Sequence, residues 1–323
     1  MPAPAIGAGR MPLIAPSERE KIAQPGFPGD EMHQKPFQLC VCDAFSHPGG
    51  PVNADVVGHA GNVAWVIDGA TDIGDGSLVD ARSDAAWFAA EVGEWLSDRA
   101  GALPARLDDL LTNLTEHVAQ DFTRLSRRPP ADRFEHPSAA GLIVRVEGRD
   151  LEYLALGDCS LLVAGSDGSF HRFGVQDEDA GDAHLSDHLS RPAPLGGETE
   201  DPTEIRARLL PVLRSQRARM NLVPGYGVFS ITAPPPEYVT CDRIPLAAGA
   251  RILIAIDGFM RLADIFRAWT PADLLSATFE RRVTATTQEL RRLEASDTAC
   301  RSHPRAKTSD DATALLATVM PCD

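Results

Sequence analysis

The sequence predicts an α+β fold built on antiparallel sheets, within one large domain. Three observations carry that expectation. Short apolar runs bounded by turn residues recur along the chain, two of them flanking a hairpin-like turn. Stretches with apolar residues at helical spacing stand between groups of such runs. No internal repeat and no Pro/Gly linker divides the patterned part.

Taken in order, residues 1 to about 36 are rich in Pro, Ala and Gly and read as an irregular N-terminal arm. The domain is expected over 37–320. "FQLCVCDAF" reads as a strand and "NVAWVID" as a second. "VDARSDAAWFAAEVGEWLSDRA" carries Ala85, Phe88, Val92, Trp95 and Leu96 at helical spacing. "RLDDLLTNLTEHVAQDFTRLS" does the same with Leu107, Leu110, Leu111, Leu114, Val118, Phe122 and Leu125. Both helices should lay one apolar face on a sheet. Two apolar runs then flank Glu147-Gly148-Arg149-Asp150, a hairpin turn, and "SLLVAG" follows as a third strand. Residues 170–240 are weakly patterned and read as an irregular flap or insertion with one helix near "PTEIRARLLPVLRSQ". "ARILIAID" is a buried strand, "PADLLSATFE" and "TATTQELRRLEAS" are helices, and "ATALLATVM" is a terminal strand.

With 323 residues, 43% of them hydrophobic, the chain can bury a sizeable core. Acids outnumber Lys and Arg by 46 to 31, a net charge of -15. Such a field disfavours nucleic acid and anionic membrane, and it repels anionic substrates unless a cation reverses the sign locally. The six cysteines include no CxxC pair, which argues against a structural zinc site. There is no apolar run of membrane-spanning length and no signal-peptide pattern, so reduced thiols in a cytoplasmic protein are expected.

The chemistry lies in a repeated context. Three apolar runs end in acid: "VAWVID-G" at Asp68, "LEYLALGD" at Asp158 and "RILIAID-G" at Asp257. An acidic pair, Asp310-Asp311, stands immediately before the last strand. Strand ends aim side chains from a rigid sheet into one cleft. Glycine beside the acid lets backbone approach a ligand closely. One Asp-Gly alone is more simply a turn or cap. Several converging carboxylates repel one another and take up protons unless a cation neutralises them. Oxygen ligands without His or Cys point to Mg²⁺ or Mn²⁺.

In this order, "NADVVG", "VIDGATD", "YLALGDCSLLV", "LIAIDGFMRL" and "SDDATALLATV" resemble the motifs of the metal-dependent type 2C protein phosphatases, the PPM superfamily. The resemblance spans about Phe37 to Met320. It implies a four-layer α-β-β-α sandwich, two antiparallel sheets flanked by helices, with a metal centre at one end. It implies two Mg²⁺ or Mn²⁺ ions and a weaker third. Asp68 would bridge two ions, with the Gly69 carbonyl on one. Asp257 and Asp310 would hold the other, Asp158 the third, and Asp55 would bind metal water. It implies hydrolysis of phosphomonoesters, foremost phosphoserine and phosphothreonine on proteins, by metal-activated water.

The chain departs from that pattern at four places. Ala54 stands where the family has an acid before Asp55. "SHPGGPVNAD" has no arginine to grip a phosphate; Arg82 and Arg261 are possible substitutes. Ala70-Thr71 replaces the His or Gly after the first "DG", with His59 a possible stand-in. Arg261 replaces the second acid of "DGxxD". These losses thin one metal's surroundings and leave Asp68, Asp158, Asp257 and Asp310 in place. The alternative function is therefore a weak or inactive member that serves as a binding module.

Other signals have plain readings. His184-x3-His188 has helical metal spacing within an acidic polar loop. Cys159, after Asp158, reads as a small buried residue more simply than as a redox sensor. "RRLEASDTACRSHPRAK" reads as a solvated helix end before it reads as a docking surface.

Overall fold

Residues 35–79, 82–174, 202–305 and 307–322 are described by the computed structural model. The arm before residue 35 and the His184/His188 pair lie outside the described residues.

Eleven strands are described: β1 (Phe37–His47), β2 (Asp55–Ala60), β3 (Val63–Gly69), β4 (Ser138–Glu147), β5 (Asp150–Leu156), β6 (Ser160–Ala164), β7 (Phe170–Phe173), β8 (Phe229–Ser230), β9 (Thr240–Pro245), β10 (Arg251–Ala255) and β11 (Ala312–Pro321). They pair antiparallel in two sheets, β1-β11-β10-β6-β7 and β2-β3-β4-β5-β9, with β8 beside β4. The helices are α1 (Asp84–Arg99), α2 (Leu110–Leu125), α3 (Pro202–Arg217), α4 (Asp257–Asp264) and α5 (Pro271–Ser296).

Strand alternation explains the layers. Successive side chains point to opposite faces. On β3, Ala64 and Val66 enter a core between the sheets, with Leu142 and Val144 of β4 and Leu315 and Ala317 of β11. The intervening Val63, Trp65 and Ile67 face the other way, against Phe88, Val92 and Leu96 of α1 and Leu110 and Leu114 of α2. On β10, Ile252 and Ile254 join the inter-sheet core. Leu253 and Ala255 pack on Phe259 and Leu262 of α4 and on Leu274 and Leu290 of α5. Each large apolar side chain so buried contributes about 1.5–3 kcal/mol. The result is the expected four-layer sandwich.

Local signals set the element ends. Ser83 caps α1 by accepting from Ala86 N at 3.2 Å, and Asp72 accepts from Asp84 N and Ala85 N at 3.0 and 3.1 Å. Gly148 takes the positive φ of 61° in the tight β4–β5 turn. The two helices expected after residue 270 form α5, broken at Arg282 (φ 75°). Asp43 accepts from Val283 N at 2.8 Å and so caps the second half.

Two expectations are corrected. Asp257 does not end a strand: β10 stops at Ala255, and Asp257 is the first residue of α4. Carboxylates are favoured in a first helical turn, where free N–H groups face them. The described part of 170–240 holds the one expected helix as α3, and it also holds two short strands that were not expected, β7 and β8.

Candidate active site

The acids gather because their elements end together. Asp55 opens β2 and is the direct ladder partner of Asp68, near the end of β3. Asp158 lies in the turn by which the chain leaves β5 in one sheet for β6 in the other. Asp257 opens α4 after β10, and Asp310 and Asp311 precede β11. A cavity of about 440 Å³ at this end is lined by Asp68, Asp158, Asp257 and Asp310, and also by Arg217 and Lys307. Asp55 is 8% exposed.

Glycines allow the backbone to crowd here. A Cβ on Gly258 would lie 1.9 Å from the Asp311 carbonyl oxygen, and one on Gly69 would lie 2.5 Å from that of Ala54. The glycine after each acid therefore serves contact between chain segments, whatever else approaches it.

The electrostatics are costly. Burial pushes the Asp55 carboxyl up to about 8; Asp311, Asp257 and Asp310 add to this, against a hydrogen bond from Thr313. Thr313 Oγ1 donates to Asp55 Oδ2 at 2.7 Å. Asp55 Oδ1 is buried and has no hydrogen-bond partner. Asp68 is pushed well above the carboxylate range by burial, then by Asp55, Asp257, Asp158 and Asp310. Asp257 is raised by burial and Asp310, and lowered by a hydrogen bond with Asp68 and by Arg261 and Lys307. Two carboxyls can hydrogen-bond to each other only through a shared proton. A cation among these acids would relieve their mutual repulsion and give Asp55 Oδ1 a partner, so this part of the site fits a hard divalent ion.

Asp310 is different. Arg261 Nη2 donates to its Oδ2 at 2.7 Å, and Lys307 Nζ donates to its Oδ1 at 2.7 Å. Asp311 accepts from Gly49 N at 2.7 Å and Ala54 N at 2.8 Å, pinning the β1–β2 loop. No three pocket acids bring ligand oxygens within 4.8 Å of one another. The one such group among the described residues is Glu91, His117 and Asp121 on α1 and α2.

The structure sorts the remaining sequence candidates. His59 and Arg82 are exposed and do not line the cavity. Arg261 is buried and bound to Asp310 and Glu294, so it is committed to the protein interior. Cys159 is fully buried, and its thiol is raised by burial and then by Asp68, the opposite of an activated thiolate. All six cysteines are free. Arg305, in the stretch read as a solvated helix end, is buried against Asp297.

The sequence reading missed the cavity's cations. Arg217 closes α3, and its Nη2 donates to Thr71 O at 3.4 Å. Arg219 also lines the cavity, in the loop after α3. Asn221 shapes that loop: its Nδ2 donates to Val228 O at 3.0 Å and Thr232 O at 2.6 Å, and its Oδ1 accepts from Val228 N at 2.9 Å. The available signal was "RSQRAR", a basic cluster in a strongly acidic chain.

No helix among the described residues is long and apolar enough to cross a membrane. No protein-family model matches the sequence, and no curated protein matches it. Solved structures do match. One is the serine/threonine phosphatase PstP/Ppp of Mycobacterium tuberculosis, with a TM-score of 0.53 at 18% identity over 88% of this chain and 100% of that one. Another is the catalytic domain of PstP in complex with two manganese ions, with a TM-score of 0.51 at 17% identity over 88% of this chain and 99% of that one. The chain shares their fold.

Proposed function

We propose that this chain is a divergent type 2C phosphatase that uses Mg²⁺ or Mn²⁺ to hydrolyse phosphomonoesters, foremost phosphoserine and phosphothreonine on proteins. The observation that carries the reading is the orphaned Asp55 Oδ1, buried opposite Asp68 on the β2–β3 ladder where several carboxylates crowd together. Asp68, Asp257, Asp158, Asp55 and the Gly69 carbonyl would hold the ion. When bound, it supplies Lewis acidity toward a phosphoryl oxygen and lowers the pKa of water.

The chain's own residues do the rest. Arg217 and Arg219 supply positive charge at the cavity, where the -15 protein must accept a dianion. They stand in for the arginine missing from the β1–β2 loop. Thr71 is held beside Lys307, whose Nζ donates to its Oγ1 at 2.9 Å, so a hydroxyl and an ammonium face one wall together. The likeness to PstP supports the choice of phosphorylated protein as substrate. Free cysteines fit a reduced, cytoplasmic setting.

The engagement of Asp310 by Arg261 and Lys307 favours one second reading, a binding module with little turnover. Hydrolysis of a generic aryl phosphate separates the two. Manganese-stimulated turnover, abolished by Asp68→Asn with circular dichroism unchanged, supports the phosphatase. Absence of turnover in manganese-saturated protein supports the module.

A further inference from the structure

Asp310 has no free carboxylate oxygen. Arg261 holds Oδ2 at 2.7 Å and Lys307 holds Oδ1 at 2.7 Å. Arg261 is an interior group, and Lys307, although its side chain is 38% exposed, is held at two points. The Arg261 side chain is 7% exposed and also faces Glu294 at 3.4 Å. Glu294 is in turn held by Arg291 at 2.6 Å. Lys307 is fixed at its other side by Thr71 Oγ1 at 2.9 Å. Arg261 sits one turn after Asp257 on α4, so it points from the same helix face at the same carboxylate. A divalent ion approaching Asp310 competes with these donors for the carboxylate, and it meets two positive charges as it approaches.

Asp55 and Asp68 show the reverse. Asp55 Oδ1 has no partner, and Asp68 faces Asp55, Asp257 and Asp158. The deficit of positive charge lies at Asp55 and Asp68, and the surplus lies at Asp310.

We propose that Lys307 and Arg261 take the electrostatic place of one ion, so that the site binds a single divalent cation at Asp68 and its neighbours, and Lys307 is a built-in cation beside the phosphate. This rests on the metal-dependent reading above and deepens it. The chain would differ from a two-ion centre in charge placement more than in total charge. An ammonium gives a fixed +1 and hydrogen bonds, and it cannot be removed by chelation.

The test is the binding stoichiometry of Mn²⁺ to the full chain. Isothermal titration calorimetry gives the count, and low-temperature electron paramagnetic resonance distinguishes an isolated Mn²⁺ from an exchange-coupled pair. One ion per chain with an isolated signal is expected. In Lys307→Ala, which removes the ammonium from Asp310 Oδ1 and leaves there the weaker bond from Asp311 N at 3.2 Å, a second ion is expected at least about tenfold tighter than any second ion of the native chain. Two ions of similar affinity in the native chain, or a coupled pair, overturn this proposal and leave the phosphatase reading standing. No binding at millimolar Mn²⁺ overturns both. A Lys307→Ala that folds, by its thermal melt, and binds as the native chain does overturns the role of Lys307. If it does not fold, the native stoichiometry alone decides.

Discussion

Asp55 and Asp68 are direct cross-strand partners on β2 and β3, two carboxylates on one face of one ladder. Like charges directly opposite one another destabilise a sheet. The two acids sit in that position beside an orphaned buried oxygen, a pattern expected of a binding site rather than of a stability element. Asp55→Asn should therefore stabilise the metal-free protein. The amide keeps an oxygen for Thr313 and, being neutral, avoids the cost that burial imposes on a carboxyl whose folded value is raised to about 8. A melt in chelator should show Tm raised by a few °C, on the order of 1 kcal/mol. A lowered Tm in chelator would contradict this account of the pair.

Gly258 places the backbone of α4 against the Asp311 carbonyl, where an added Cβ would stand at 1.9 Å. Overpacking against backbone costs about 1–3 kcal/mol. Gly258→Ala should lower the unfolding free energy by that amount, read as a fall in the urea midpoint at unchanged m, and loosen the start of β11. An unchanged midpoint would show that the two segments slide apart freely.

Among the described residues, Arg217 donates to Thr71 O at 3.4 Å and hydrogen-bonds with Tyr226, and it lines the cavity. Its charge is thus directed at the cavity. Arg217→Ala should raise KM for a phosphorylated peptide about tenfold, the loss of about 1.4 kcal/mol of binding, with a smaller change in kcat. An equal fall in kcat at constant KM would place it in the transition state instead. No change in either would remove it from the phosphate's surroundings.

Glu135 gives the clearest pH dependence away from the acids. Its carboxylate accepts from Arg128 at 2.8 and 3.0 Å and from Ala131 N at 2.7 Å. The Arg128 bond is the main cause that lowers it from 4.5 to about 2. The folded value lies below the unfolded one, so its stabilisation is full above about pH 4.5 and is lost as pH falls towards 2. Between those pH values, Tm of the native chain should fall more steeply than Tm of Glu135→Gln. The gap should be a few °C, since Arg128 is partly exposed. Parallel slopes would show that Arg128 and Glu135 are screened apart.

The sandwich was legible because its central strands are buried on two sides. "VAWVID" and "RILIAID" are apolar at every position that meets a core, and α1 and α2 carry one clean stripe each. The strands missed, β2, β7, β8 and β9, each pair with a single neighbour. An edge needs less apolar surface, and β9, "TCDRIP", has no buried residue. The acids were legible from their shared context and arrive together. Their cations were not. Arg217 reaches the cavity from a helix distant in sequence, and Lys307 meets Thr71 across 236 positions. Arg261 read as a lost acid or a phosphate grip, and only its burial with Glu294 and Asp310 shows that it serves the interior.

In the proposed function these acids hold a divalent ion that activates water to hydrolyse a phosphomonoester. The most direct measurement is phosphate release from a phosphothreonine peptide by the purified full chain, titrated with Mn²⁺ from a chelated start. Release should rise from background with Mn²⁺, and Asp68→Asn should hold it at background while its melt remains cooperative. Release that is independent of Mn²⁺ or unaffected by Asp68→Asn would contradict the claim, as would no release from a chain that demonstrably binds the ion.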